Sequence, residues 1–243
     1  MTVGRPQPPP AAGRRPGWGL GEVVLGFLVA VAVSAIVGSL VLAATGDDEL
    51  DDVPMTLYAL VQASQWVGFV GVPVLASRLK GYGIVRDFGA RMEARDVPAG
   101  LLIGVALQLV MVPLVSWPWV ELLGRDTDEL EQRARDLTDR ASGIGLVALA
   151  LVVVVGAPLA EELFFRGLTL RSLMRRVGVP AAIVLSSALF AATHFDLLSF
   201  PALFVFGVVM ALLVRRTDRL GLAWWAHIGF NATTIAILVA DKY

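Results

Sequence analysis

Residues 141–167 read ASGIGLVALALVVVVGAPLAEELFFRG, and this stretch decides how the rest of the chain is interpreted. Residues 141–160 carry no charge. A helix of about 20 residues is about 30 Å long, which matches the hydrocarbon thickness of a bilayer. The paired acids Glu161 and Glu162 follow directly. The stretch therefore predicts a transmembrane helix that carries carboxylates at membrane depth.

Six further apolar stretches predict an all-α fold, a polytopic transmembrane helix bundle of about seven spans. Hydrophobic residues make up 56% of the chain, above the roughly 45 to 50% that is usual in soluble domains. The fifth and sixth spans are short and only Asp196 separates them, so they are either two crossings or a hairpin that reaches part of the way. The predicted spans are 23–46, 53–77, 97–120, 141–160 with the acid pair, 177–195, 197–214 and 220–240.

Basic and acidic residues alternate between successive loops. Arginines precede the first span and recur after the second, fourth and sixth spans, whereas the loops after the first and third spans are rich in acids. Lys and Arg favour the cytoplasmic side of a membrane. We therefore predict a multi-pass protein of the plasma (inner) membrane with a cytoplasmic amino terminus.

The same pattern divides the chain into four segments. Residues 1–17 are rich in proline and arginine and predict a disordered cytoplasmic tail. Residues 18–120 hold the first three spans, residues 121–140 predict a charged extracytoplasmic connecting helix, and residues 141–240 form a helical core with all the candidate functional residues. The lipid bilayer is an expected partner and nucleic acid is not. Because the chain has no cysteine, a thiolate nucleophile and a cysteine-ligated metal are excluded.

Helical spacing distinguishes the two acids of the fourth span. Glu162 and Arg166 are four residues apart and face each other, which predicts a structural ion pair. Glu161 is rotated by about 100° and has no basic residue at i+3 or i+4. A carboxyl group left alone in an apolar environment is a candidate general base for water.

Both histidines of the chain lie in apolar spans, where a titratable side chain costs about 2.5 to 3.5 kcal/mol and is usually functional. His194 follows Phe190 by one helical turn, so the two rings should be in contact. His227 precedes Asn231 by one turn and shares its helix face. These side chains could donate to a developing oxyanion or could hold a metal. Their estimated depth predicts a water-accessible cavity open toward the cytoplasmic leaflet.

Three motifs resemble a known family, the CAAX prenyl protease type II and bacteriocin-processing (CPBP) intramembrane proteases, also described as the Abi family. The family signature EExxxR, FxxxH and HxxxN is matched by Glu161-Glu-Leu-Phe-Phe-Arg166, Phe190-Ala-Ala-Thr-His194 and His227-Ile-Gly-Phe-Asn231. The resemblance covers about residues 140–240. It implies hydrolysis of peptide bonds in membrane-anchored or peptide substrates. In that mechanism Glu161 and His194 activate water, and His227 with Asn231 stabilises the oxyanion.

Two alternatives stay open at this point. Some family members have been described as metalloproteases, in which case Glu161, His194 and His227 would hold zinc; asparagine is a poor zinc ligand and the chain has no HExxH helix. The protein could also be a non-catalytic immunity or scaffold protein of the same fold, or a proton-coupled transporter, since acids and histidines within membranes also serve carriers.

Overall fold

A computed structural model describes residues 16–125 and 128–242, and within those ranges all regular secondary structure is helical. The first fifteen residues of the predicted tail lie outside the described residues. Nine helices are described: α1 Leu20–Thr45, α2 Met55–Lys80, α3 Ile84–Phe88, α4 Asp96–Leu122, α5 Asp128–Arg140, α6 Gly143–Val177, α7 Val179–Ala192, α8 Phe200–Thr217 and α9 Gly221–Lys242.

The predicted helical bundle is confirmed. Within the described ranges, six helices are long and apolar enough to cross a membrane: α1, α2, α4, α6, α8 and α9. The predicted fifth span is a shorter apolar helix, α7, of 14 residues. At 1.5 Å per residue it is about 21 Å long, less than the hydrocarbon thickness of about 30 Å. Within the segment 121–140, the structure describes the separate helix α5, with Glu129, Gln132 and Asp136 exposed.

Prolines shape three of the long helices in the same way. A π-helical segment ends two residues before Pro73 in α2, before Pro113 in α4 and before Pro158 in α6. Proline has no N–H and clashes with the carbonyl group four residues earlier, so it disrupts the regular α-helical hydrogen bonds around it. A wider π turn accommodates the ring and changes the direction of the side chains that follow. In α6 those side chains are Glu161 and Glu162.

Glycines bring α4 and α9 into backbone contact. A Cβ atom added to Gly104 would lie 2.1 Å from the Ala226 carbonyl oxygen and 2.5 Å from the Phe230 nitrogen. A Cβ on Gly229 would lie 2.8 Å from the Leu101 carbonyl oxygen. Small residues of this kind let membrane helices pack closely. The contact fixes the stretch of α9 that carries His227.

The end of the bundle that bears the basic loops is closed by aromatic packing. Trp18 and Phe88 are buried with their ring centroids 4.8 Å apart, and the Arg175 guanidinium lies 3.8 Å from the Trp18 ring centroid. Arg219 donates two hydrogen bonds, of 2.9 and 2.7 Å, to the buried carboxylate of Asp96. These contacts tie the loops of this end to one another.

At the opposite end, the last turn of α9 holds the connecting helix in place. The Lys242 ammonium donates to the carbonyl oxygens of Thr138, Asp139 and Ala141, at 2.8 to 3.0 Å. The last carbonyl groups of a helix have no partner within the helix, and a cation stabilises them. The end of α5 and the start of α6 are therefore fixed relative to α9.

Replacing Gly104 with alanine is expected to destabilise the protein by about 1 to 3 kcal/mol, because the added methyl group meets backbone atoms of α9 that cannot move aside. The matched control is Gly71→Ala. Gly71 is helical and has open space at its Cβ position, so alanine should stabilise α2 by about 0.5 to 1 kcal/mol. Thermal unfolding of both variants in detergent tests the opposite signs. Equal shifts would contradict the backbone contact of α4 with α9.

Candidate active site

A cavity of about 1550 Å³ within the bundle brings the candidate catalytic residues together. Its wall is mostly aliphatic and aromatic, and each candidate comes from one of three helices or the turn that follows α7. The sequence pattern placed these side chains in separate spans, and we expected them to converge. Five residues of the three motifs line this one cavity: Glu161, Phe190, His194, His227 and Asn231.

The structure contains the ion pair expected from the i, i+4 spacing in α6. Arg166 Nη1 lies 3.0 Å from Glu162 Oε1, and both side chains are buried. The guanidinium also lies 4.4 Å from the centroid of the Phe190 ring, a cation–π distance. The Glu162–Arg166 pair thus joins α6 to α7.

His227 bridges the two acids, a contact that the sequence analysis missed. Its Nδ1 lies 2.9 Å from Glu162 Oε1, and its Nε2 lies 3.8 Å from Glu161 Oε2. A carboxylate only accepts hydrogen bonds, so Nδ1 carries a proton and donates it to Glu162. The Glu162 contact sets the orientation of the ring and points Nε2 toward Glu161 and the cavity.

His194 lies just beyond the end of α7, and one of its nitrogens is committed to the backbone. Nδ1 lies 2.9 Å from the carbonyl oxygen of Phe190, so Nδ1 is the N–H donor. In the neutral ring, Nε2 then holds the lone pair. The His194 and Phe190 ring centroids are 4.9 Å apart, as the one-turn spacing predicted.

Asn231 is held by a carbonyl group that Pro158 leaves without a partner. In the π-helical segment of α6, N–H groups donate to carbonyls five residues earlier, as Ala157 does to Val152. The same register would pair Pro158 with Val153, but proline has no N–H. Asn231 Nδ2 donates to the Val153 carbonyl oxygen at 2.8 Å. One amide N–H and the amide oxygen remain for other partners.

Two aromatic rings lie beside His227. Phe190 belongs to one of the histidine motifs and Phe206 does not. The His227 ring centroid lies 4.8 Å from that of Phe206 and 6.0 Å from that of Phe190, both near edge-on. These rings limit the access of water to the imidazole on that side. Phe206 carried no signal in the sequence, because it is one of several aromatic residues in an apolar span.

The cavity extends toward the acidic loops, so its expected opening toward the basic, cytoplasmic side is wrong. The lining residues lie mostly in the middle and in the acidic-loop half of the spans, such as 27–42 of α1, 108–117 of α4 and 227–238 of α9. The depth estimate treated every helix as an upright rod that starts at the basic boundary. In fact α6 has 35 residues, and the basic end is filled by packed aromatic side chains.

The zinc alternative does not fit the positions of these side chains. Within residues 16–125 and 128–242, no group of three histidine, aspartate or glutamate side chains is arranged to hold a metal ion. Glu161 and His227 approach each other, but His194 does not complete a set of three with them. No step of the chemistry below is therefore assigned to a metal.

Residues 143–233 match the family model described as type II CAAX prenyl endopeptidase Rce1-like. This segment contains all three motifs, together with both acids and both aromatic rings described beside His227. Residues 143–233 are therefore similar to this family and form an Rce1-like segment. The Rce1-like segment covers less than half of the chain, and α1 to α5 precede it. Searches of the curated proteins and of the solved structures each found no significant match.

Within the Rce1-like segment, Arg166→Met is expected to destabilise the protein by about 3 to 5 kcal/mol, because it leaves a buried carboxylate without its cation. The double variant Glu162→Gln, Arg166→Met should be more stable than Arg166→Met alone, since the neutral amide needs no counter-ion. Unfolding in mixed micelles measures the stability of both variants. A double variant as unstable as the sum of the two single variants would show that the pair is not coupled.

Proposed function

We propose that the protein is an intramembrane endopeptidase that hydrolyses peptide bonds of membrane-associated substrates. The supporting observation is that one acid outside the Glu162–Arg166 pair, two imidazoles and a carboxamide, all from the Rce1-like segment, line a single cavity. The bilayer and a membrane-anchored or peptide substrate are its partners in this proposal. The family description names prenylated CAAX substrates, which makes a farnesylated CAAX peptide the first probe.

Glu161 is the proposed general base. It is the acid of the pair that is partly open to the cavity, with its side chain 18% exposed, whereas Glu162 is fully buried against Arg166 and His227. Glu161 takes a proton from water while the water oxygen attacks the peptide carbonyl carbon. The proton then passes to the amine nitrogen as the C–N bond breaks. His194, with Nε2 free of the backbone contact, orients the same water.

His227 and Asn231 are the proposed oxyanion donors. Donation from His227 Nε2 requires a ring protonated on both nitrogens, because Nδ1 already donates to Glu162. Glu161, Glu162 and Arg166 together carry a charge of −1, which a doubly protonated His227 would bring to zero, so such a ring has a counter-charge beside it. The second amide N–H of Asn231 donates to the same oxygen.

Glu161→Gln is expected to lower kcat by about 10² to 10⁴-fold, because the amide keeps the shape of the side chain but cannot accept the proton. Purified protein, the farnesylated CAAX peptide and mass spectrometry of the products measure this loss. Glu93→Gln is the matched control. Glu93 is half-exposed at the basic end of the bundle, so activity should remain within about twofold of the parent.

Two results would contradict this assignment. Full activity of Glu161→Gln, with thermal stability like that of the parent, would remove Glu161 from the reaction. Loss of activity on chelation, restored by stoichiometric zinc, would replace the metal-free mechanism with metal-assisted hydrolysis.

A further inference from the structure

The cavity also has a side opening, between α1 and α4. Val31 of α1 and Leu114 of α4 line the cavity and are at the same time 51% and 72% exposed. A residue that satisfies both conditions lies at an edge where the cavity meets the surrounding medium. For helices that cross a membrane, that medium is lipid.

Helix packing explains why a gap exists at this place. α1 packs on α2, while α4 packs on α9 and α8. α2 in turn packs on α6, where the Trp66 indole occupies the space that a Cβ on Gly156 would fill. Across the described part of the chain, α1 and α4 share no extensive packing surface. The two helices therefore form the sides of an opening rather than a sealed contact.

The cavity wall carries side-chain amides within apolar helices. Gln62 and Gln65 extend from α2 and Gln108 from α4, and all three line the cavity. Gln65 Nε2 donates to the backbone carbonyl of Gln62 at 2.9 Å, which leaves its amide oxygen as an acceptor. Amides removed from water are costly unless they are hydrogen-bonded. An extended peptide backbone supplies both donors and acceptors to such groups.

We propose that the gap between α1 and α4 is the route by which a lipid-embedded, apolar segment of a polypeptide substrate reaches Glu161. The three glutamines bind the backbone of that segment, and the apolar wall contacts its side chains. The route lies in the acidic-loop half of the bundle, because the lining of α4 runs from Gln108 toward the acidic end. This inference rests on the proposed endopeptidase function and specifies how its substrate arrives.

The packed core in the basic half of the bundle supports entry through the gap between α1 and α4. In the basic half, no residue of α4 before Gln108 and no residue of α9 before His227 lines the cavity. Buried Trp18, Phe88 and Leu168 fill that part of the core. A substrate segment that came from the basic side would have to displace this packing.

Bulky substitutions at the opening test the route. Leu114→Trp and Val31→Trp narrow the gap and should lower kcat/KM for the farnesylated peptide by about tenfold or more, chiefly through KM. The matched controls are Leu102→Trp and Val24→Trp. Leu102 is 72% exposed on the same helix as Leu114, and Val24 is 59% exposed on α1, but neither lines the cavity. The controls should stay within about twofold of the parent. Losses equal to those of Leu114→Trp and Val31→Trp would overturn the route.

A second measurement does not depend on cleavage. Since the chain has no cysteine, Leu114→Cys and Leu102→Cys each provide a single thiol for a benzophenone cross-linker, in the Glu161→Gln background. The farnesylated peptide should cross-link at position 114 and not at position 102. Equal capture at the two positions, or capture at neither, would overturn the route. Capture at 114 alone, from a parent protein that cleaves no peptide, would support the route and contradict the proposed endopeptidase function.

Discussion

The site depends on one buried charge interaction, in which the Glu162 carboxylate is shared between Arg166 and His227. A carboxylate removed from water is costly unless it is paired and hydrogen-bonded. The pairing therefore restricts how α6 and α9 can sit beside each other. A shift of either helix by one residue would separate the imidazole from the acid. Glu161 takes its position toward the cavity from this constraint, since it directly precedes Glu162 in the same helix.

Backbone geometry adds a second constraint on the same two helices. Pro158 interrupts the hydrogen bonds of α6, and the carbonyl oxygen that it leaves unpaired accepts a hydrogen bond from Asn231. The wider turn and the asparagine are thus parts of one arrangement. Together with the His227–Glu162 contact, it joins α6 to α9 at two levels, one on each side of the proposed reaction centre. Two levels of contact restrict rotation as well as sliding.

Interactions within one helix were predictable from the sequence, and interactions between helices were not. The spans follow from local apolarity and length, and the Glu162–Arg166 and Phe190–His194 contacts follow from i, i+4 spacing. The His227–Glu162 contact depends on how far α9 is offset along α6, which the spacing of residues within either helix does not specify. The predicted direction of the cavity opening was wrong for the same reason. Counting residues from a loop gives the position of a residue along its own helix. It does not give the depth of that residue relative to residues of another helix.

The glycine contact between α4 and α9 has a mechanical consequence. Helices whose backbones touch behave as a stiff unit, because relative displacement brings hard atoms into overlap at once. Among the residues that the structure describes, no such backbone contact joins the α1–α2 pair to α4, so this pair forms the compliant side of the bundle. Accommodation of substrates of different girth is therefore expected to move α1 and α2 outward, while His227 and Asn231 keep their alignment.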